Sequence, residues 1–468
     1  MKNRFHLAHL LLAGYLAASV QAQSDYYTYT ELPVPEGVVL EVSGITMMPG
    51  HVLAVSSRRG DIYTVKNPFG PPEEMVWKLY AGGLHEPLGI HYRKGWLYAT
   101  QRCEVSRLKD EDGDGRADLF ETVNDDWGIN GDYHEYTFGA FGPDGAVWNV
   151  LCLTGSGGYS SDFRGWCLRV TPDGEMIPTA SGVRSPGGIG MNKAGDMFYS
   201  DNQGPWNGTS SIMDIKIGSF TGYPSGNKAY ALTDAIGPRP ADPKSGSRIH
   251  IERDRIPEFV PPTILFTHGK MGNSTAGITF DSSEGKFGPF KDQLLVTDQS
   301  FSIINRCFLD LVNGVYLGAA FPFLSGFASG SLVMYMAEDG SLFTGGTNRG
   351  WGSRGRKSFA LERVNWTGKV PFEVHEMRAK PDGFELTFTE PVHAATAGNP
   401  ASYSMTAYTY IYQSGYGSPV VDRSTPKIIE ARVGADKKSV YLKIDGLVRG
   451  HVHELHMPGV STADGRPL

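Results

Sequence analysis

The stretch DEDGDGRADLFE, Asp110 to Glu121, spaces oxygen donors as a hard divalent cation requires. Asp110, Asp112 and Asp114 stand at positions one, three and five of the loop pattern, and Gly115 supplies the sharp turn at six. Arg116 offers a carbonyl at seven, Asp118 stands at nine and Glu121 closes the loop at twelve. Carboxylates packed this closely repel one another unless a cation offsets them, so the loop is expected to bind Ca2+. Its flanks, CEVSRLK and LFETV, alternate as strands. With no pair of helices to open, a sensor role is excluded and the ion is read as a brace.

A second set of chemical residues recurs just ahead of short apolar runs: Glu41, His85 with Glu86, His134 with Glu135, Arg184 with Ser185, and Asn273 with Ser274. An imidazole takes a proton near neutral pH, which makes His134 the candidate general base. Arg184 suits a carboxylate or an oxyanion. Arg184, Asn273 and Arg349 are the candidates to hold a cofactor. His85, Glu86, Glu135, Trp206 and Trp351 are the candidates to hold substrate. The last two lie in DNQGPWNG and NRGWG, where an arginine and aromatic faces suit a sugar ring or an acidic saccharide. The competing structural reading is that these groups satisfy one another, and that the tryptophans pack.

The elements that must position these residues repeat. A polar entry, a glycine and an apolar strand recur as EVSGITM, EPLGIHY, YTFGAFG, SPGGIGM, STAGITF and ASGSLVM. Their glycines are Gly44, Gly89, Gly139, Gly188, Gly277 and Gly330, spaced 45, 50, 49, 89 and 53 residues apart. That period fits one four-stranded blade per repeat, so the fold expected is all-β, a six-bladed β-propeller over residues 30–367. The long fourth interval implies an insertion at about 205–262, rich in Pro, Gly and Ser, lying over one face as a loop or lid. From 368 to 468 the alternation in DGFELTFTEPV and SVYLKIDGL predicts a second, sandwich-like β domain, with its final strand expected to be missing.

Residues 1–22 carry Lys2, Arg4 and an apolar run from Leu7 to Val20, and are read as a signal peptide. The mature chain is therefore expected to be exported, to the periplasm or beyond the cell, with no membrane span. The 43 basic and 50 acidic residues of the full sequence include no basic run, which excludes a nucleic-acid surface. Four cysteines bound for an oxidising compartment are expected to pair, Cys152 with Cys167 across a glycine-rich turn. The absence of C-x-x-C-H excludes covalent c-type haem, so any electron acceptor is external.

GDYHEYTFGAFGPDGAVWNV and SGVRSPGGIGMNKAGDMFYSD resemble the soluble quinoprotein sugar dehydrogenases, the glucose/sorbosone dehydrogenase-like propellers that use pyrroloquinoline quinone. The DGDGRAD loop and TNRGWGSRG resemble secreted propellers labelled membrane-bound dehydrogenases, and the likeness runs from about Gly44 to Trp366. It implies that His134 abstracts the proton of a sugar hydroxyl, that Arg184 contacts the quinone, and that a separate cytochrome c takes the electrons. The chain departs from the family in three places. Ser185 replaces the asparagine after the arginine, Ser300 stands where a quinone-binding lysine is usual, and Gly330 to Leu332 replace a pair of arginines. LTFTEPVHAATAGNPASYSM resembles bacterial immunoglobulin-like modules, to which no chemistry is assigned. The leading expectation is thus a sugar or related alcohol dehydrogenase. The alternatives are a calcium-dependent lactonase-type hydrolase using Glu41, Glu86 and Glu135, and a non-catalytic saccharide- or partner-binding propeller.

Overall fold

The computed structural model describes residues 25–132, 134–154, 161–350 and 352–468. The expected signal peptide, 1–22, and Trp351 lie outside the described residues. Each repeat glycine falls in or beside the first strand of a four-stranded antiparallel sheet. Five sheets run in chain order from first to last strand: Val42–Met48 to Val76–Ala81, Ile90–Arg93 to Leu119–Asn124, Thr137–Phe141 to Met176–Ser181, Pro186–Met191 to Ile264–Leu265, and Thr275–Phe280 to Val315–Ser325. The sixth starts at Ser331–Met336 and takes its outermost strand, Tyr27–Glu31, from the start of the described chain, paired from Tyr27 opposite Trp366 to Glu31 opposite Glu362. This strand closes the ring, and a propeller boundary at 30 cuts through it.

The glycines mark where neighbouring blades touch. A Cβ on Gly44 would stand 2.9 Å from Ile90 N, one on Gly188 2.8 Å from Ala276 O, and one on Gly277 2.7 Å from Leu332 O. First strands therefore pack backbone to backbone around the axis. Farther out the core forms wedges between blades. Ile62 and Tyr80 meet Leu97 and Leu108, and Val150 and Cys167 meet Tyr199 and Met213. Phe198 and Ile212 meet Leu294 and Val296, and Val42 and Val55 meet Phe343 and Leu361.

The cysteines are free thiols, which corrects the expected disulfide. In the third sheet Cys167 faces Val150, while Cys152 lies beyond the strand Val147–Leu151 with its N–H on Tyr136 O at 2.9 Å. Register, not distance along the chain, decides which residues face each other. Burial pushes the Cys152 thiol up to about 12, so it stays protonated.

The long insertion falls between Ser211–Asp214 and Ile264–Leu265, so it starts later than 205. It is not a loose cover: its Phe220, Ile256 and Phe259 pack on Tyr412 of the second unit. That unit is a β-sandwich of a four-stranded and a three-stranded sheet, with Leu386, Val440 and Leu442 in one core with Tyr403 and Met405. Among the described residues no helix is long and apolar enough to cross a membrane.

Candidate functional site

All six blades line one axial cavity of about 510 Å³, open solvent included. Arg58 enters from blade one and Leu88 from blade two, Tyr136 from three, Asn202 from four, Ser274, Thr275 and Gln299 from five, and Arg349 from six. Most of these residues stand at strand ends, where the chain leaves the packed sheet and side chains can face the axis.

Two arginine–glutamate clusters set the charge here. Arg58 donates Nε and Nη2 to Glu86 Oε1 at 2.9 and 2.5 Å, and Arg102 donates Nε to Oε2 at 2.7 Å. The Tyr136 ring faces both guanidinium groups, 5.4 Å from Arg58 and 4.9 Å from Arg102. Burial alone would raise the Glu86 carboxyl, but the two arginines outweigh it and hold the group below the usual carboxylate range. Glu86 also has a left-handed backbone, φ 51°, a strain that this double ion pair holds in place. In the second cluster Glu41 Oε2 accepts Arg349 Nη1 at 3.0 Å and Arg59 Nε at 3.2 Å.

The third axial glutamate, Glu135, accepts the N–H groups of Asn130 and Gly131 at 3.0 Å and both the N–H and hydroxyl of Ser161. Burial opposes its charge, yet these donors keep its carboxyl below the usual range. Glu41, Glu86 and Glu135 are thus occupied with arginines and backbone donors. Each of these carboxylates is held by donors of the protein itself.

His134 is not a lining residue of the cavity; it stands at the rim with a side chain 45% exposed, edge-on to Tyr136 at 6.3 Å, and Nδ1 3.8 Å from Asp132 Oδ1. Arg184 is buried beside the cavity and donates Nη1 to Asn202 O at 3.1 Å and Gln203 O at 2.6 Å. His85 and Asn273 are exposed and contribute backbone rather than side chain to the mouth. Trp206 packs on Tyr412 at 5.0 Å, in the cluster between insertion and sandwich, so it is a packing residue and not part of the cavity. Of the expected cofactor and substrate residues that are described, only Arg349 lines the cavity, and Glu86 is bonded to the lining residue Arg58.

The sequence pattern does not single out Arg58, Arg102, Tyr136, Asp201 or Asp298. Asp201 and Asp298 end the second strands of blades four and five, in FYSD and LVTD, and a repeat drawn one strand longer would align them. Asp201 accepts the N–H groups of Arg184 and Ser185 at 3.1 and 2.7 Å, and Asp298 those of Asn273 and Ser274 at 2.7 and 2.8 Å. Burial pushes the Asp201 carboxyl up to about 6 despite these donors and Arg184. These aspartates fix the loops that form the mouth.

Away from the axis, the acidic loop joins Val105–Lys109 to Leu119–Asn124. Asp110, Asp112 and Asp118 each bring a carboxylate oxygen within 4.8 Å of the others. Gly113 and Gly115 donate to Asp110 at 2.8 Å, which partly offsets the crowded charge. Asp114 instead accepts Arg116 N–H at 2.7 Å, and Glu121 pairs with Arg107 at 2.6 Å, so neither joins the triad. The loop also reaches the last strand of blade one, with Ala117 N–H on Tyr80 O at 2.8 Å.

The model of a domain of unknown function, DUF7133, matches residues 76–306. No curated protein matches the chain. Among solved structures it is similar to one described as an oxidoreductase (glucose dehydrogenase) from Thermus thermophilus, with 20% identity, 72% of this chain and 99% of that one covered, and a TM-score of 0.53. It is also similar to the PQQ-bound form of an aldose sugar dehydrogenase from Streptomyces coelicolor, with 20% identity, coverage of 72% and 98%, and a TM-score of 0.50. A calcium structure of a Trichoderma reesei carbohydrate-active enzyme of family AA12 gives 13% identity, coverage of 73% and 96%, and a TM-score of 0.50. At these identities the likeness establishes the propeller fold.

Proposed function

We propose that the chain is an exported sugar dehydrogenase-like propeller that oxidises a sugar or related alcohol and passes the electrons to an external acceptor such as a cytochrome c. The observation that carries this reading is the unfinished polar lining of the axial cavity. Asn202 Oδ1 and Thr275 Oγ1 are buried there without a hydrogen-bond partner, an arrangement that a bound polar group would complete. Arg58 and Arg349 reach the same cavity, and each shares a single glutamate with a second arginine, so both clusters keep a net positive charge. This lining of two cations, a hydroxyl and an amide acceptor fits pyrroloquinoline quinone, a polar anionic group, with cations drawn from blades one and six in place of the missing lysine and arginine pair.

When bound, the quinone supplies the two-electron acceptor. Arg58 and Arg349 would meet its carboxylates, and Asn202 and Thr275 its remaining polar edge. His134 at the rim accepts the substrate's hydroxyl proton, and Asp132 beside Nδ1 stabilises the imidazolium that results. Asp110, Asp112 and Asp118 would hold Ca2+, which would brace the junction of blades one and two.

The test is titration of the purified protein with pyrroloquinoline quinone and Ca2+, followed by absorption, and then addition of aldoses with a dye acceptor. A bound chromophore reduced by sugar supports the reading. A protein that binds sugar but no quinone is instead a non-catalytic saccharide-binding propeller.

A further inference from the structure

The sandwich reaches the propeller mouth through one pinned loop. Pro205 and Tyr416 form a backbone bridge, Gly417 N–H donates to Gly204 O at 3.0 Å, and Trp206 N–H donates to Gln413 O at 2.7 Å. Gln413 Nε2 closes the loop on Gly417 O at 3.0 Å. The Tyr416 ring lies over Arg184, with the guanidinium carbon 5.4 Å from the ring centroid. Arg184 is only 6% exposed, so it is the support beneath the ring rather than a group that a ligand reaches. Tyr416 is 66% exposed. A large ring held by backbone on both sides and by a cation below presents its outer surface to solvent already ordered.

We propose that Tyr416 is the platform of an outer saccharide subsite, and that the substrate is a disaccharide or longer. The proposal rests on the reading of the axial cavity as a sugar site. Aromatic surfaces at such positions stack on the apolar face of a pyranose, while the phenol hydroxyl stays wet. Tyr416 does not line the axial cavity, yet the Arg184 beneath it is bonded to the carbonyl of Asn202, which does. The platform is therefore offset from the cavity by the width of that packed arginine. A ligand with one ring in the cavity meets Tyr416 only through a second ring.

The test is equilibrium binding of glucose, cellobiose and maltose to the full chain by calorimetry, in wild type, Tyr416→Ala and Tyr416→Phe, with melting temperatures as the folding control. Wild type is expected to bind at least one disaccharide about tenfold more tightly than glucose, a gain of about 1.4 kcal/mol. Tyr416→Ala should erase that gain and leave glucose binding unchanged, and Tyr416→Phe should keep it. A gain that survives in Tyr416→Ala, or wild type that shows none, overturns the subsite. Dye reduction separates the two readings: turnover of glucose without disaccharide preference leaves the dehydrogenase and removes the platform, whereas disaccharide preference without turnover does the reverse.

Discussion

Glu86 ties two arginines of the axial site together, because it pairs with Arg58 and Arg102 at once while buried. Glu86→Gln would leave two buried guanidinium groups without their counter-charge, and breaking a buried pair from one side costs about 3–5 kcal/mol. Urea denaturation of the purified variant measures it. The pH dependence follows from the sign of the shift. The carboxyl is held below its ordinary range in the folded chain, so its stabilisation is complete above that range and is lost as pH falls through and below it. Wild type should therefore lose stability below about pH 4.5, and Glu86→Gln should show a shallower loss. For His134, replacement by Gln keeps polarity and size while removing basicity, so turnover should fall roughly a hundredfold at unchanged melting temperature. A variant with full turnover removes His134 from the mechanism. The residue types at the mouth can be read from the repeat, but their partners cannot. Arg349 meets Glu41 across 308 residues, a pairing that exists only once the ring closes, and Arg58 meets Glu86 across 28, from one blade to the next.

The repeat unit itself was legible because its glycine has a geometric cause. Gly277 has no room for a Cβ against Leu332 O, and a real side chain there must push one inner strand off the next. Gly277→Ala is expected to cost about 1–3 kcal/mol, the range for overpacking, measured by the same denaturation. The closing strand Tyr27–Glu31 was not legible, since it pairs with Phe359–Trp366 and carries no glycine phrase. Nor was the register that separates Cys152 from Cys167, because the turn between them hides which residues face each other. The acidic loop is the element where pattern and geometry diverge most usefully. Asp118→Ala should lower the melting temperature in Ca2+ and remove the further drop caused by chelator, since loss of a ligand forfeits the stabilisation that binding gives the folded state. Glu121→Ala, which breaks only the pair with Arg107, should keep its response to chelator. A wild type whose melting temperature ignores chelator refutes the brace.

The sandwich is tied into the propeller by charge buried where the two units meet. Arg306, in the third strand of blade five, is fully buried between the rings of Phe290 and Phe321, 3.8 and 4.3 Å from its guanidinium carbon. It donates Nη2 to Val374 O at 2.6 Å and Nη1 to His375 O at 3.1 Å, both on the first strand of the sandwich, and Nη1 also reaches Gln293 at 2.6 Å. Burial draws its pKa down to about 10, still far above neutrality, so the charge persists and needs those acceptors. A chain ending at residue 367 keeps every blade and the closing strand but strips Arg306 of both carbonyls. It should be less stable than the full chain by about 1.5–3 kcal/mol, the worth of hydrogen bonds to a charged group that water only partly replaces. Arg306→Met in the shortened chain should recover most of that loss, because an apolar side chain between two rings needs no acceptor. Urea denaturation of the full chain, the shortened chain and the shortened Arg306→Met variant decides the matter. Equal stability of the first two would make the sandwich a passive appendage. A shortened chain that Arg306→Met fails to rescue would place the coupling elsewhere, in the apolar contact of Phe220, Ile256 and Phe259 with Tyr412.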